Sequence, residues 1–225
     1  MNFRSLHDWG LTPAEAIALQ ARLAKLVIHN RPLNPDSVRL VAGVDVSVKP
    51  DAAGQAQSQA AIAVLSLPGF EVIEVVRAKL PTPFPYIPGL LSFREGPVLL
   101  KAIAQLTSTP DLFIFDGMGR AHPRRLGIAS HLGLWLEKPT IGCGKTLLTG
   151  VHAPVGEARG SYSLMTDRGE VIGAALRTRA RTKVVYISPG HLIDLDSAIA
   201  LVMRCTPKFR LPEPIRAAHN AAGQF

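Results

Sequence analysis

Two aspartates stand where carboxylates are costly. Asp45 lies within Val41-Ala42-Gly43-Val44-Asp45-Val46-Ser47-Val48, and Asp116 closes the run Leu112-Phe113-Ile114-Phe115 directly before Gly117. A charge flanked by such side chains is expensive to bury unless something pairs with it. Carboxylates without a cysteine cluster favour a hard, oxygen-preferring cation, Mg²⁺ with Mn²⁺ as a substitute. The bland alternative is a turn cap or an arginine partner, and it weakens when two such residues both sit in apolar strands. Glu95, in Ser92-Phe93-Arg94-Glu95-Gly96, is a third carboxylate. Alone it reads equally well as a first-turn helix residue favoured by the helix dipole.

Other segments point to phosphate. The ten residues from Asp116 to Arg125 hold two glycines, His122 and three arginines, a composition suited to close backbone approach and forked anion recognition. A dinucleotide-binding loop would need glycine where His122 stands. Gly142-Cys143-Gly144-Lys145-Thr146 resembles a phosphate-binding P-loop, but Pro139 occupies the place of its first glycine. Lys145 can still serve a phosphate as a point charge. Arg177, Arg179, Arg181 and Lys183 alternate with Thr178, Ala180 and Thr182. In a strand, that spacing puts four cations on one face, as a backbone-tracking stripe or as a solvated edge. Pro83-Phe84-Pro85-Tyr86-Ile87-Pro88-Gly89 is a stiffened loop projecting an aromatic and an aliphatic side chain. It reads as a wedge of the kind that pries bases apart, or as a cover over the core.

The elements that must position these residues follow from periodicity. Thr12-Pro13-Ala14-Glu15 is a capping box with proline at the first helical position, and Pro32 closes the segment after Ile17, Leu19, Leu23, Leu26 and Val27. Strand-like runs cover 38–48, 60–67 and 71–80, with Pro68-Gly69-Phe70 as a tight turn and 49–59 as a polar hairpin loop. A proline-dense loop (81–89) precedes a helix over about 93–106. Leu112–Phe115 is a strand buried on both faces, and a helix over about 125–136 follows. Short strands near Thr140, over 171–176 and over 183–188, and a helix over 194–204, complete the pattern. From Arg210 onward the tail is polar, ordered only by packing or by a metal. Three antiparallel strands followed by strand–helix–strand alternation describe an α/β fold, a mixed sheet flanked by helices, in an order compatible with a ribonuclease H-like sheet. In such a sheet the first and fourth strands are neighbours, and Asp45 and Asp116 converge.

The bulk properties agree. With 225 residues the chain suits one domain spanning 1–225, and 47% hydrophobic residues suffice for a core. A formal charge of +8 fits a polyanionic partner such as nucleic acid. No apolar run is long enough for a membrane span, and MNFRSLHDWG is too polar for a signal peptide. Cys143 and Cys205 make neither a disulfide framework nor a zinc cluster, so a reducing cytoplasm is expected.

These segments together resemble the endonuclease V (deoxyribonuclease V, deoxyinosine 3′-endonuclease) family over nearly the whole chain. The motifs are Ala42-Gly43-Val44-Asp45-Val46, Pro85-Tyr86-Ile87-Pro88-Gly89 with Ser92-Phe93-Arg94-Glu95, and Asp116-Gly117 with Ala121-His122-Pro123-Arg124-Arg125-Leu126-Gly127. Pro139-Thr140-Ile141-Gly142 with Lys145, Gly190-His191 and Arg210-Leu211-Pro212-Glu213-Pro214 follow.

The resemblance implies a DNA repair endonuclease that recognises deoxyinosine and hydrolyses the second phosphodiester bond 3′ to it. It implies Mg²⁺ held by Asp45, Asp116 and Glu95, with Lys145 and His219 completing the catalytic set. It assigns Tyr86, with Pro85, Ile87 and Pro88, to a wedge. The backbone of Gly89, Leu91 and Gly117 is assigned to a hypoxanthine pocket, and His122 lies beside the site. Damaged DNA is the expected partner, inosine-containing RNA the alternative substrate, and a monomer the expected state. A non-catalytic nucleic-acid-binding module is a further alternative. The sequence departs from many members at Met118, where histidine is common, and at Cys143-Gly144, where Val-Ala is common.

Overall fold

The computed structural model describes residues 1, 3 and 5–223. Its centre is one eight-stranded mixed sheet in the order β3-β2-β1-β4-β5-β8-β7-β6. The strands are β1 (Leu40–Pro50), β2 (Ala56–Ser66), β3 (Val72–Pro81), β4 (Leu112–Phe115), β5 (Thr140–Gly144), β6 (Tyr162–Asp167), β7 (Glu170–Leu176) and β8 (Val185–His191). The helices are α1 (Pro13–Leu23), α2 (Leu91–Ile103), α3 (Ile128–Leu136), α4 (Leu195–Arg204) and α5 (Glu213–Ala222). The capping box of α1 is present as its spacing predicts: Thr12 N–H donates to Glu15 Oε2 at 2.8 Å, and Glu15 N–H to Thr12 Oγ1 at 3.3 Å.

β1 runs antiparallel to β2 and parallel to β4, with Val44 opposite Phe115. This is the adjacency that a ribonuclease H-like sheet requires. Period-two alternation then assigns sides. Ala42, Val44, Phe113 and Phe115 pack with residues of α2 and α3, whereas Val41, Leu112 and Ile114 pack with residues of α4 and with Ile215 of α5. Asp45 and Asp116 have the parity of the second set, so both carboxylates leave the sheet on the α5 side. All nine residues of α3 are buried, as suits a helix apolar all round.

Three sequence expectations need correction. The loop expected over 49–59 is only 51–55, because the polar residues beside it pair as an extension of the hairpin. β6 was absent from the expected elements; its burial is partial, so its sequence carries little apolar pattern. The tail is a helix, α5, whose buried Ile215, Ala218, Ala221 and Ala222 recur at helical spacing. It lies on β1 and β2. Gly43 permits that approach, since a Cβ there would run into the Pro214 carbonyl.

Candidate active site

The ends of two parallel strands build the acidic centre. Asp116 N–H donates to the Val44 carbonyl at 3.1 Å, which sets Asp116 beside Asp45. Asp45 is only 8% exposed. Burial raises its carboxyl pKa, and the neighbouring Asp116 raises it further. The hydrogen bond and charge of His219, then Lys145, pull the other way. His219 Nδ1 donates to Asp45 Oδ2 at 3.0 Å, so the last helix delivers a partner to the first strand. Lys145 follows β5 directly, and its Nζ is paired with Asp116 Oδ2. The Lys145 backbone is itself held, its carbonyl accepting Arg210 Nη2–H at 3.2 Å.

Glu95 comes from α2. Loss of water around its carboxyl pushes its pKa up to about 8, with Asp45 and Asp116 adding to the rise and Arg94 opposing it. Asp45 and Glu95, each held back from ionising beside the Asp116 charge, form with it a site short of positive charge. Their all-oxygen chemistry fits a hard divalent cation. Among the described residues no three His, Cys, Asp or Glu side chains already enclose a common point. A cation would therefore enter against the Lys145 contact and complete its shell from Glu95 or water.

Beside this centre lies a pocket of about 410 Å³, within the usual range for ligand sites. Asp116 and Lys145 form one wall; Tyr86, Ile87, Pro88, Gly89, Leu91 and Gly117 form others. Ile87-Pro88-Gly89-Leu90 is a type II turn closed by Leu90 N–H to Ile87 O at 2.9 Å, with Gly89 at φ +82°. Phe84 and Leu90 are buried at the ends of the loop while Tyr86 is 71% exposed. The loop thus covers the core with its ends and projects its middle. Pro85 and Pro88 are exposed beside Tyr86.

His122 lies at the back of the pocket. Arg124 N–H donates to its Nδ1 at 3.1 Å, so the proton is on Nε2, which donates to Gly89 O at 3.0 Å. Burial first, then Arg124 and Arg125, lowers its pKa to about 4, and the ring is neutral at physiological pH.

The arginines around it are not free for phosphate. Arg125 pairs with Asp167 at 2.8 Å and with Glu170 at 2.7 Å, and Arg120 pairs with Glu170 at 3.3 Å. Arg124 binds Gly89 O at 2.8 Å. The expected cationic stripe also fails: residues 177–184 form no strand. Arg177 turns inward to the Gly156 and Val155 carbonyls, both at 2.9 Å, and Arg181 has φ +56°. Arg179, Arg181 and Lys183 stay exposed on a turn.

Positions 118 and 144 share one space. A Cβ at Gly144 would meet Met118 Cε at 2.5 Å and Sδ at 3.0 Å. Met118 is buried with Met165 and Ile172, so with methionine at 118 there is no room for a side chain at 144 unless the methionine end shifts. Sequence reasoning missed Gln20, which lines the pocket from α1. Its signal was legible: an amide among Ala16, Leu19 and Leu23, on the buried face of the helix.

Comparison with known proteins agrees with this geometry. The family model described as Endonuclease V matches residues 21–220. An endonuclease V of Gloeobacter violaceus is 53% identical over 96% of this chain and 87% of its own length. The crystal structure of a Bacillus subtilis endonuclease V superposes with a TM-score of 0.95 at 33% identity, covering 99% of this chain and 96% of that one. A Ciona intestinalis endonuclease V, solved with a 24mer DNA containing an inosine followed by a ribo-adenosine, superposes with a TM-score of 0.80 at 27% identity. That match covers 94% of this chain and 95% of the Ciona chain.

Proposed function

The chain belongs to the endonuclease V family of nucleases, and from that premise we propose that it nicks DNA at deoxyinosine, at the second phosphodiester bond 3′ to the lesion, with Mg²⁺. The observation that carries the reading is the union of a carboxylate pair on adjacent parallel strands with a base-sized pocket whose rim bears an exposed tyrosine. The Ciona relative bound to inosine-containing DNA supports the choice of lesion.

Asp45 and Asp116 would hold the cation, with Glu95 as the third oxygen donor. Mg²⁺, or Mn²⁺ in its place, supplies Lewis acidity and lowers the pKa of water at the site. Lys145 then moves its ammonium from Asp116 toward the scissile phosphate and offsets charge growing there. His219 holds Asp45 in one orientation through the 3.0 Å bond. The lesion leaves the helix for the pocket, and Tyr86, flanked by Pro85, Ile87 and Pro88, fills the gap it leaves. The backbone at Gly89, Leu91 and Gly117 borders the base. Gly117 must lack a side chain because a Cβ there would meet Ile128 Cγ2 at 2.7 Å. His122, neutral, keeps Gly89 in place.

The test is a duplex with one deoxyinosine, incubated with and without Mg²⁺. A nick one nucleotide beyond the lesion's 3′ neighbouring bond, lost on chelation, is expected; an intact strand would refute the function. A second reading, cleavage of inosine-containing RNA, is favoured by the ribo-adenosine in the strand bound by the Ciona protein. Matched DNA, RNA and single-ribonucleotide substrates separate the two.

A further inference from the structure

Lys145 separates two cavities. One is the base-sized pocket; the other, of about 300 Å³, is lined beyond Lys145 by Lys183, Arg177, His152 and Tyr186 between Val155 and Val184. No carboxylate lines it. Two guanidiniums build its frame. Arg210 donates from Nε to Lys183 O at 2.9 Å, and from Nη2 to Val184 O at 2.8 Å and to Lys145 O at 3.2 Å. One side chain therefore fixes the roots of both lysines to each other. Arg177 donates to the Gly156, Val155 and Thr182 carbonyls, and Thr182 Oγ1 donates to Arg179 O at 2.9 Å. These bonds brace the turn that carries Lys183 and keep the Arg177 charge at the cavity. The His152 ring, held through Nδ1 on Ala153 O at 2.8 Å, lies 5.8 Å from the Tyr186 ring. Two donors stay free. Neither the exposed Lys183 ammonium nor the Tyr186 hydroxyl has a partner among the described residues.

We propose that this cavity binds a phosphodiester of the cut strand on the 3′ side of the scissile bond, through Lys183 and Tyr186. The inference rests on the reading of the base pocket as the lesion's site. With the lesion in that pocket and the scissile phosphate, 3′ to it, at Asp116 and Lys145, a strand continuing in the same direction meets the second cavity next. A cleft of one charge sign between apolar walls concentrates its field on an anion. Lysine and tyrosine contacts to phosphate fix a strand's register without reading its sequence. The bond to be cut lies beyond the lesion, so a grip on the lesion alone leaves it free to swing. A second grip past the bond holds the scissile phosphate in one orientation toward the carboxylates. Within the cationic segment 177–183, Arg177 braces and Lys183 binds.

The experiment measures kcat/KM with Mg²⁺ on three deoxyinosine duplexes that share a full-length complementary strand. In one the lesion strand is long on both sides. In the second it ends with the nucleotide that follows the scissile bond, and in the third it is trimmed on the 5′ side instead. On the long duplex we expect a loss of about three- to tenfold in Lys183→Gln and about two- to fivefold in Tyr186→Phe. The dependence of log(kcat/KM) on log salt should become shallower by about 1 in Lys183→Gln. On the 3′-trimmed duplex wild type should itself lose at least as much as Lys183→Gln loses on the long one, and the variants should fall no further. On the 5′-trimmed duplex their losses should persist. The inference is overturned if Lys183→Gln matches wild type on the long duplex, if 3′ trimming leaves wild type unchanged, or if the variants lose the same factor on the 3′-trimmed duplex, as a contact to the complementary strand would require. Tyr186→Phe at the wild-type rate would remove the hydroxyl from the site. Wild type failing to nick the long duplex would instead overturn the function itself.

Discussion

Replacing His131 with leucine should remove a defined part of this protein's sensitivity to acid. The ring is fully buried in α3 and belongs to a chain whose protons can be assigned one by one. His7 Nδ1 donates to Asp8 O at 2.8 Å, so its Nε2 is an acceptor; it receives Trp135 Nε1–H at 3.3 Å and His131 Nε2–H at 2.8 Å. His131 Nδ1 therefore accepts the Ser92 hydroxyl at 2.9 Å. Protonating His7 at Nε2 sets N–H against N–H, and protonating His131 at Nδ1 forces the Ser92 hydroxyl to turn from donor to acceptor. Burial above all, then His7 and His122, lowers the His131 pKa to about 3 from 6.5. A base with a lowered folded pKa is protonated first in the unfolded chain, so its contribution is complete above pH 6.5 and is lost as pH falls toward 3. At 1.36 kcal/mol per pH unit, the loss is about 2 kcal/mol by pH 5 and about 4 kcal/mol by pH 3. Urea unfolding at pH 7 and pH 5 measures it. Wild type should lose about 2 kcal/mol more than His131→Leu between the two conditions, whatever the variant's stability at pH 7. Equal losses would refute both the tautomer chain and the neutral ring.

Three further outcomes follow from the site. Asp116→Asn should cut the nicking rate at saturating Mg²⁺ by about 100-fold or more, while thermal stability without metal holds or rises, because Asp45 and Glu95 lose a like-charge neighbour. A fall in melting temperature of many degrees would contradict this. Tyr86→Ala should leave urea stability within about 0.5 kcal/mol, as its ring is mostly solvated. Binding of lesion DNA, read by titration, should weaken by about 1–3 kcal/mol; a loss of fold instead would make the loop a core cover. Gly43→Ala should cost about 1–3 kcal/mol by overpacking and lower the nicking rate, because α5 must lift from β1 and carry His219 away from Asp45. A fully active, fully stable variant would show that α5 is not seated there for catalysis.

Much of the fold was legible because strong local signals coincided with it. The capping box at Thr12, the hairpin turn at Pro68-Gly69-Phe70 and the apolar run 112–115 each mark a backbone state that the residues impose locally. β6 and α5 were not legible for opposite reasons. β6 is half solvated and its pattern is faint. α5 is strongly patterned, but with alanines at most of its buried positions its apolar face is small enough to pass for a polar tail. The cationic segment 177–183 misled because period two implies a shared face only in a strand, and backbone carbonyls turn Arg177 inward.

The sequence by itself determined which residues are chemically out of place: acids in apolar strands, a tyrosine between prolines, an amide on an apolar helix face. Such misfits are local, since the cost of a buried polar group depends on side-chain type and neighbours. Only the tertiary structure decided which misfits meet. The parallel pairing of β1 with β4 joins Asp45 to Asp116, α5 returns across 174 residues to place His219 on Asp45, and α1 reaches the wedge turn through Gln20. It also decided that Arg120, Arg124 and Arg125 bind this protein's own groups, because a guanidinium takes whichever acceptors the fold sets nearest, and sequence spacing does not encode those distances.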